Sequence, residues 1–141
     1  MIRTLLFSTL YPNSVQPSHG IFVETRLRHL LASGEVETRV VAPVPWFPFR
    51  HRMFGEYAKK ASVPGQEQRN GIAVEHPRYL LLPKVGMNSA PRTLAQVGLK
   101  AARKLIAEGY DFDLIDAHYF YPDGVAATII GKALGKPVVI T

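Results

Sequence analysis

The chain has 141 residues, 47% of them hydrophobic, which is enough for one core and too few for two ordinary domains. Its 17 Lys and Arg against 11 Asp and Glu favour an anionic partner, whether a phosphorylated ligand, an acidic membrane surface or nucleic acid, without choosing among them. Because there is no cysteine, disulfides, thiolate zinc sites and cysteine nucleophiles are excluded, and no stretch approaches the roughly 20 apolar residues of a transmembrane helix.

The apolar run Thr4 to Phe7 predicts a first strand and, interrupted upstream by Arg3, is too short for the apolar part of a signal peptide. It leads through a loop, Tyr11 to Gly20, into a helix expected over Ile21 to Ser33. There Val23, Leu27, Leu30 and Leu31 recur at helical spacing, Gly34 stands at C′, and Glu24, Arg26 and Arg28 are expected to face water. The β-branched run Thr38 to Ala42 predicts a second strand, stopped by Pro43, Pro45 and Pro48, none of which can donate to a central ladder.

Residues 43 to 71 differ in composition and read as a long excursion, carrying Trp46-Phe47-Pro48-Phe49 and Arg50-His51-Arg52 and closing on the tight-turn signal Asn70-Gly71. Ile72 to Glu75 predicts a strand and Arg78 to Leu82 a further extended segment. A long helix follows over Ser89 to Glu108, with Ser89 as N-cap, Pro91 in the first turn and Leu94, Val97, Ala101 and Leu105 in one stripe. Arg92, Lys100, Arg103 and Lys104 lie on its outer face, and Gly109 ends it. Then come a strand at Leu114 to Ala117, a loop from His118 to Asp123, a small-residue helix over Gly124 to Leu134 closed by Gly135, and a strand at Pro137 to Ile140. This alternation predicts an α/β fold, a Rossmann-like parallel sheet with helices on both faces, in one domain spanning 1–141.

In such sheets ligands bind at the carboxyl ends of the strands, which draws attention to two loops. At the close of the first, Gly20 lets a phosphate or sugar approach the backbone while Ser18 and His19 supply donors; the competing reading is a tight turn with a solvated histidine. His118, just past a later strand, lies on the same edge and is either catalytic or a satisfied structural residue. Tyr119, Phe120 and Tyr121 can stack on a sugar face or pack within the loop, and Asp123 is expected to cap the next helix.

Asp111-Phe112-Asp113 has the D-x-D form that holds a metal in one class of sugar transferases. It precedes its strand, however, and so belongs to the opposite edge, as a helix-to-strand turn. No dinucleotide fingerprint, Walker sequence, H-E-x-x-H or G-x-S-x-G is present, and Gly131-Lys132 lies inside a helix. Trp46, Phe47, Arg50 and Arg52 combine apolar wedges with cations, as in a segment touching an anionic membrane surface or in a solvated basic loop. No element for reading nucleic acid is recognisable.

Taken together, Pro17-Ser18-His19-Gly20-Ile21-Phe22-Val23-Glu24, the helix end Leu30-Leu31-Ala32-Ser33-Gly34, Asp113-Leu114-Ile115-Asp116-Ala117-His118, Gly124 and Lys136-Pro137-Val138-Val139 form a pattern. It resembles the N-terminal domain of the retaining family-4 glycosyltransferases, which have the GT-B fold of two facing Rossmann-like domains. The resemblance implies a nucleotide-sugar donor held by Ser18, His19 and Gly20, with His118 at the transferred sugar. It implies a saccharide, lipid-linked or small-molecule acceptor, for which Tyr119, Tyr121 and Asp123 are the weaker candidates. Neither a cofactor nor a metal is expected, and the location implied is cytoplasmic or peripheral at the inner face of a membrane. The chain departs from the common pattern in having Ser-His-Gly where a glycine pair is frequent. The family's second domain, with a basic pair and a two-glutamate helix, lies beyond the resemblance, so these residues alone are expected to be silent. Two rival expectations are a stand-alone binding module for a phosphorylated ligand or partner, and a membrane-associated subunit completing a two-chain transferase.

Overall fold

The computed structural model describes residues 1–46, 63–80 and 90–141. The apolar start forms β1 (Ile2–Phe7), which pairs in parallel with β2 (Val36–Val41) on one side. After β3 (Val44–Trp46), β4 (Gln66–Arg69), β5 (Ile72–Glu75) and β6 (Arg78–Leu80), the chain returns to the other flank of β1 as β7 (Leu114–Ala117) and ends in β8 (Val138–Ile140). The main sheet has the order β4-β5-β2-β1-β7-β8 and is parallel except for β4, which runs antiparallel to β5. The fold is thus α/β with a mostly parallel, Rossmann-like sheet.

Helix α1 (Ile21–Ala32) covers one face; α2 (Ala90–Ala107) and α3 (Val125–Leu134) cover the other. Alternate residues of the central strands serve the two layers. Leu6, Val40 and Val74 pack with Val23 and Leu27 of α1, whereas Leu5, Phe7, Val41, Ile115 and Ala117 pack with Leu94, Ala102, Leu105, Ala126 and Ile130. Burial on both faces is why these strands read as near-continuous apolar runs rather than as alternating ones.

Several expectations change. Glu24 does not face water: it is 4% exposed and receives two hydrogen bonds from Arg69 of β4, at 2.8 and 3.2 Å. Arg69 falls within residues 43 to 71, whose composition predicts an excursion. Gln66–Arg69 is in fact a strand, because Asn70 and Gly71, at φ 52 and 78, fold it back as a hairpin onto β5. Pro45 does lie in a strand, but in the separate two-stranded ladder of β3 and β6, where the missing donor leaves the main sheet untouched. The expected N-cap Ser89, and Phe47, Arg50 and Arg52 of the basic aromatic segment, lie outside the described residues; of Trp46 only the backbone is described. Among the described residues no helix is long and apolar enough to cross a membrane.

Candidate functional site

Strand order reverses direction at β1, since β2 follows through α1 on one side and β7 is reached through α2 on the other. Two loops therefore diverge at the carboxyl ends of β1 and β7, the crevice in which open α/β sheets take their ligands. One is the segment from Ser8 to Gly20; the other runs from His118 to Gly124.

Asp123 joins them. Its carboxylate, 1% exposed, accepts the Thr9 backbone N–H at 2.9 Å, the Thr9 hydroxyl at 2.9 and 3.0 Å, and the Ser8 hydroxyl at 3.4 Å. Asp123 is thus not the cap of α3, whose N-cap position is Gly124 and makes no side-chain cap hydrogen bond. A carboxylate four lone pairs wide is better satisfied by three donors across the crevice than by one helix N–H. Burial pushes its carboxyl above the ordinary range, and the Thr9 and Ser8 donors pull in the opposite direction.

On the first loop, Gly20 opens α1 in the left-handed conformation, φ 65, with no side-chain cap. The volume a Cβ would fill there belongs to the chain itself, 2.5 Å from Leu10 C and 2.6 Å from its carbonyl oxygen. The absent side chain therefore brings two parts of the loop together. His19 Nε2 lies 3.0 Å from the Thr9 carbonyl oxygen, and Ser18 is exposed. Tyr11 is buried beneath, and burial first, the Glu24 carboxylate second, push its hydroxyl above its ordinary range.

On the second loop, His118 is buried, and its Nε2 lies 3.0 Å from Arg26 Nη1 of α1. The same Nη1 is 3.4 Å from Asp116 Oδ2, while Asp116 Oδ1, buried and without a hydrogen-bond partner, is 3.6 Å from His118 Nε2. Asp116 and His118 point to one side because they are two residues apart on an extended backbone. Tyr119 follows at φ 81, in a region non-glycine residues seldom occupy, held by its N–H on Thr141 O at 3.0 Å and by its carbonyl accepting Gly124 N–H at 2.8 Å. Tyr119, Phe120 and Tyr121 are exposed.

A cavity of about 120 Å³ adjoins this edge between the first loop and the β2–β3 connection, lined by Tyr11, Asn13, His19, Pro45, His76 and Tyr79 among others. His76, 1% exposed, has Nδ1 2.9 Å from the Ala42 carbonyl oxygen and Nε2 3.7 Å from Glu67 Oε1. Among the described residues no three His, Asp or Glu gather as a metal site. Asp111 and Asp113 lie at the opposite edge: Asp113 accepts the Arg3 N–H at 2.8 Å and Asp111 pairs with Lys136.

The structure thus brings His118 and Asp123 onto one edge with the Ser18–Gly20 turn, and adds residues the sequence did not mark. Arg26, Asp116 and His76 had no recognisable spacing. The available signal was weak: a polar residue inside an apolar strand, as Asp116 is in Leu114–Ala117, and an arginine on the first two turns of the helix that follows the first loop.

This edge belongs to an α/β domain with a Rossmann-like sheet, and the solved structures it resembles share that architecture. Two crystal structures of the C-terminal domain of the PF1911 hydrogenase from Pyrococcus furiosus, residues 83–215 and 78–226, superpose with TM-scores of 0.55 and 0.52. Each is 14% identical over 99% of this chain and covers 91% and 89% of its own. At that identity the likeness concerns the fold alone. No protein-family profile matches the chain. In sequence it is 32% identical over 142 residues, 99% of its length, to a protein of Bacillus subtilis (strain 168) provisionally named teichuronic acid biosynthesis glycosyltransferase TuaC. The chain spans 36% of the length of that relative. The similarity supports a relationship to a glycosyltransferase.

Proposed function

We propose that these residues are the acceptor-side, N-terminal Rossmann-like domain of a retaining glycosyltransferase of family 4 with the GT-B fold. The observation that carries the proposal is the similarity, across 99% of the chain, to 36% of the length of a glycosyltransferase-named relative. The crevice supports it: two loops, tied by Asp123, flank the switch point where a donor diphosphate and sugar would lie.

In this reading the start of α1, which has no side-chain cap at Gly20, turns the positive end of a helix dipole to the leaving diphosphate, with Ser18 and His19 beside it. His118 hydrogen-bonds the transferred sugar as charge develops at its anomeric carbon, a contact worth most in the transition state. Tyr119 and Tyr121, exposed beside it, offer stacking faces to a saccharide or lipid-linked acceptor. Asp123, with its oxygens occupied by Thr9 and Ser8, holds the two loops in register rather than meeting the acceptor. The mechanism invokes no metal or other cofactor; the nucleotide-sugar is a substrate. A second domain closes the water-poor cleft and supplies most donor contacts. The enzyme works in the cytoplasm or at the inner membrane face, where the segment with Trp46, Phe47, Arg50 and Arg52 meets anionic lipid.

The test is transfer by the full-length protein from a panel of nucleotide-sugars, with and without His118→Ala. Turnover should fall about 10²- to 10³-fold in the variant while donor Kd changes less than about 3-fold. An unchanged rate removes His118 from the reaction, and no transfer from any donor by the wild-type protein overturns the proposal.

A further inference from the structure

Arginine donates and never accepts, so the 3.0 Å contact between Arg26 Nη1 and His118 Nε2 constrains the ring: Nε2 must carry a lone pair and the proton must sit on Nδ1. Asp116 sharpens the constraint. Its Oδ1, buried and unpartnered, is 3.6 Å from that same Nε2, and its Oδ2 is 3.4 Å from the same Arg26 nitrogen. Two acceptors thus face each other across one cationic donor.

We infer that Arg26 is a positioning residue that bridges Asp116 and His118 and selects the ring tautomer with the proton on Nδ1, so that His118 meets its ligand as a hydrogen-bond donor. Without Arg26 nothing separates the two acceptors. The proton then moves to Nε2, where Asp116 Oδ1 accepts it, and Nδ1 becomes an acceptor. Free imidazole needs no such help to put its proton on Nε2; the helix-borne arginine is what reverses the choice. The catalytic consequence, though not the tautomer, rests on the glycosyltransferase reading: a ring that donates can hydrogen-bond a sugar oxygen, and a ring that only accepts cannot stabilise that oxygen.

The test is ¹⁵N NMR of the His118 ring in the full-length protein without ligand, at a pH where histidines are neutral. Wild type should show a pyrrole-like Nδ1 and a pyridine-like Nε2. Arg26→Met should exchange the two signatures. Arg26→Met with Asp116→Asn should restore them, because the asparagine amide now donates to Nε2. Turnover should fall at least about tenfold in Arg26→Met and recover in part in the double variant. A wild-type ring protonated on Nε2, or an Arg26→Met ring indistinguishable from wild type, overturns the inference. The wild-type spectrum needs no variant to fold. It also needs no activity, so a failed tautomer leaves the transferase reading standing, and an inactive protein with an Nδ1-protonated ring overturns that reading alone.

Discussion

The two edges of one sheet use their polar residues differently. At the amino edge Asp113 accepts the Arg3 N–H, Asp111 pairs with Lys136, and the Tyr110 hydroxyl donates to the carbonyl oxygens of Thr4 at 2.8 Å and Glu37 at 3.1 Å. Each of these groups is consumed in closing the fold. At the carboxyl edge Asp116 Oδ1 is buried without a partner, Tyr119 occupies a strained φ, and three aromatic side chains face solvent. Unsatisfied and strained groups of this kind are what the ligand-binding role proposed for this edge would leave behind. The D-x-D residues and the His118 loop thus belong to different economies, although both stand next to β7.

The largest expected contrast is catalytic. In the full-length protein the His118→Ala loss of about 10²- to 10³-fold should be set against the Asp111→Ala, Asp113→Ala double variant, for which turnover should stay within about threefold. A collapse in the double variant, reversed by added divalent cation, would move the chemistry to the amino edge and dissolve the comparison.

Next in size is Gly20→Ala, at the carboxyl edge but structural in cause. A methyl at φ 65 placed 2.5 Å from the Leu10 backbone should cost about 2 to 4 kcal/mol in chemical denaturation. A loss under about 0.5 kcal/mol would show that the loop is free to separate from Leu10 and that its conformation is set elsewhere.

Smaller still is Tyr110→Phe, which removes the hydroxyl shared by the Thr4 and Glu37 carbonyl oxygens at the amino edge. It should lower stability by about 1 kcal/mol, roughly 3 °C in Tm, with turnover unchanged. Altered kinetics at unchanged Tm would contradict the division between the edges.

The smallest effect concerns pH. Burial raises the folded-state pKa of Asp123 above its unfolded value of about 3.9, so the stability it contributes is complete below that unfolded value and is lost as pH rises through the folded one. The Tm of wild type relative to Asp123→Asn should therefore decline between about pH 3 and pH 7. A difference that grows with pH would mean that the Thr9 and Ser8 donors outweigh burial.

Much of the architecture was legible because it depends on local periodicity. Leu94, Val97, Ala101 and Leu105 announce α2, Gly34, Gly109 and Gly135 end helices at positive φ, and Asn70-Gly71 folds a hairpin, all through interactions within a few residues. Placing His118 and the Ser18–Gly20 turn on one edge also followed from chain order, since parallel strands return in the same direction. What the sequence could not decide was which polar side chains meet. Glu24 and Arg69 are 45 residues apart, Thr9 and Asp123 are 114, and Arg26 and His118 are 92. Nothing in the local pattern distinguishes a buried, paired Glu24 from a solvated one, because the partner arrives only when β4 folds back onto the sheet. Local hydrophobic spacing determined the elements and their order; the close pairing of distant charges was decided only when α1 packed on the face formed by β1, β2 and β5, which brings Arg26 to Asp116 and His118.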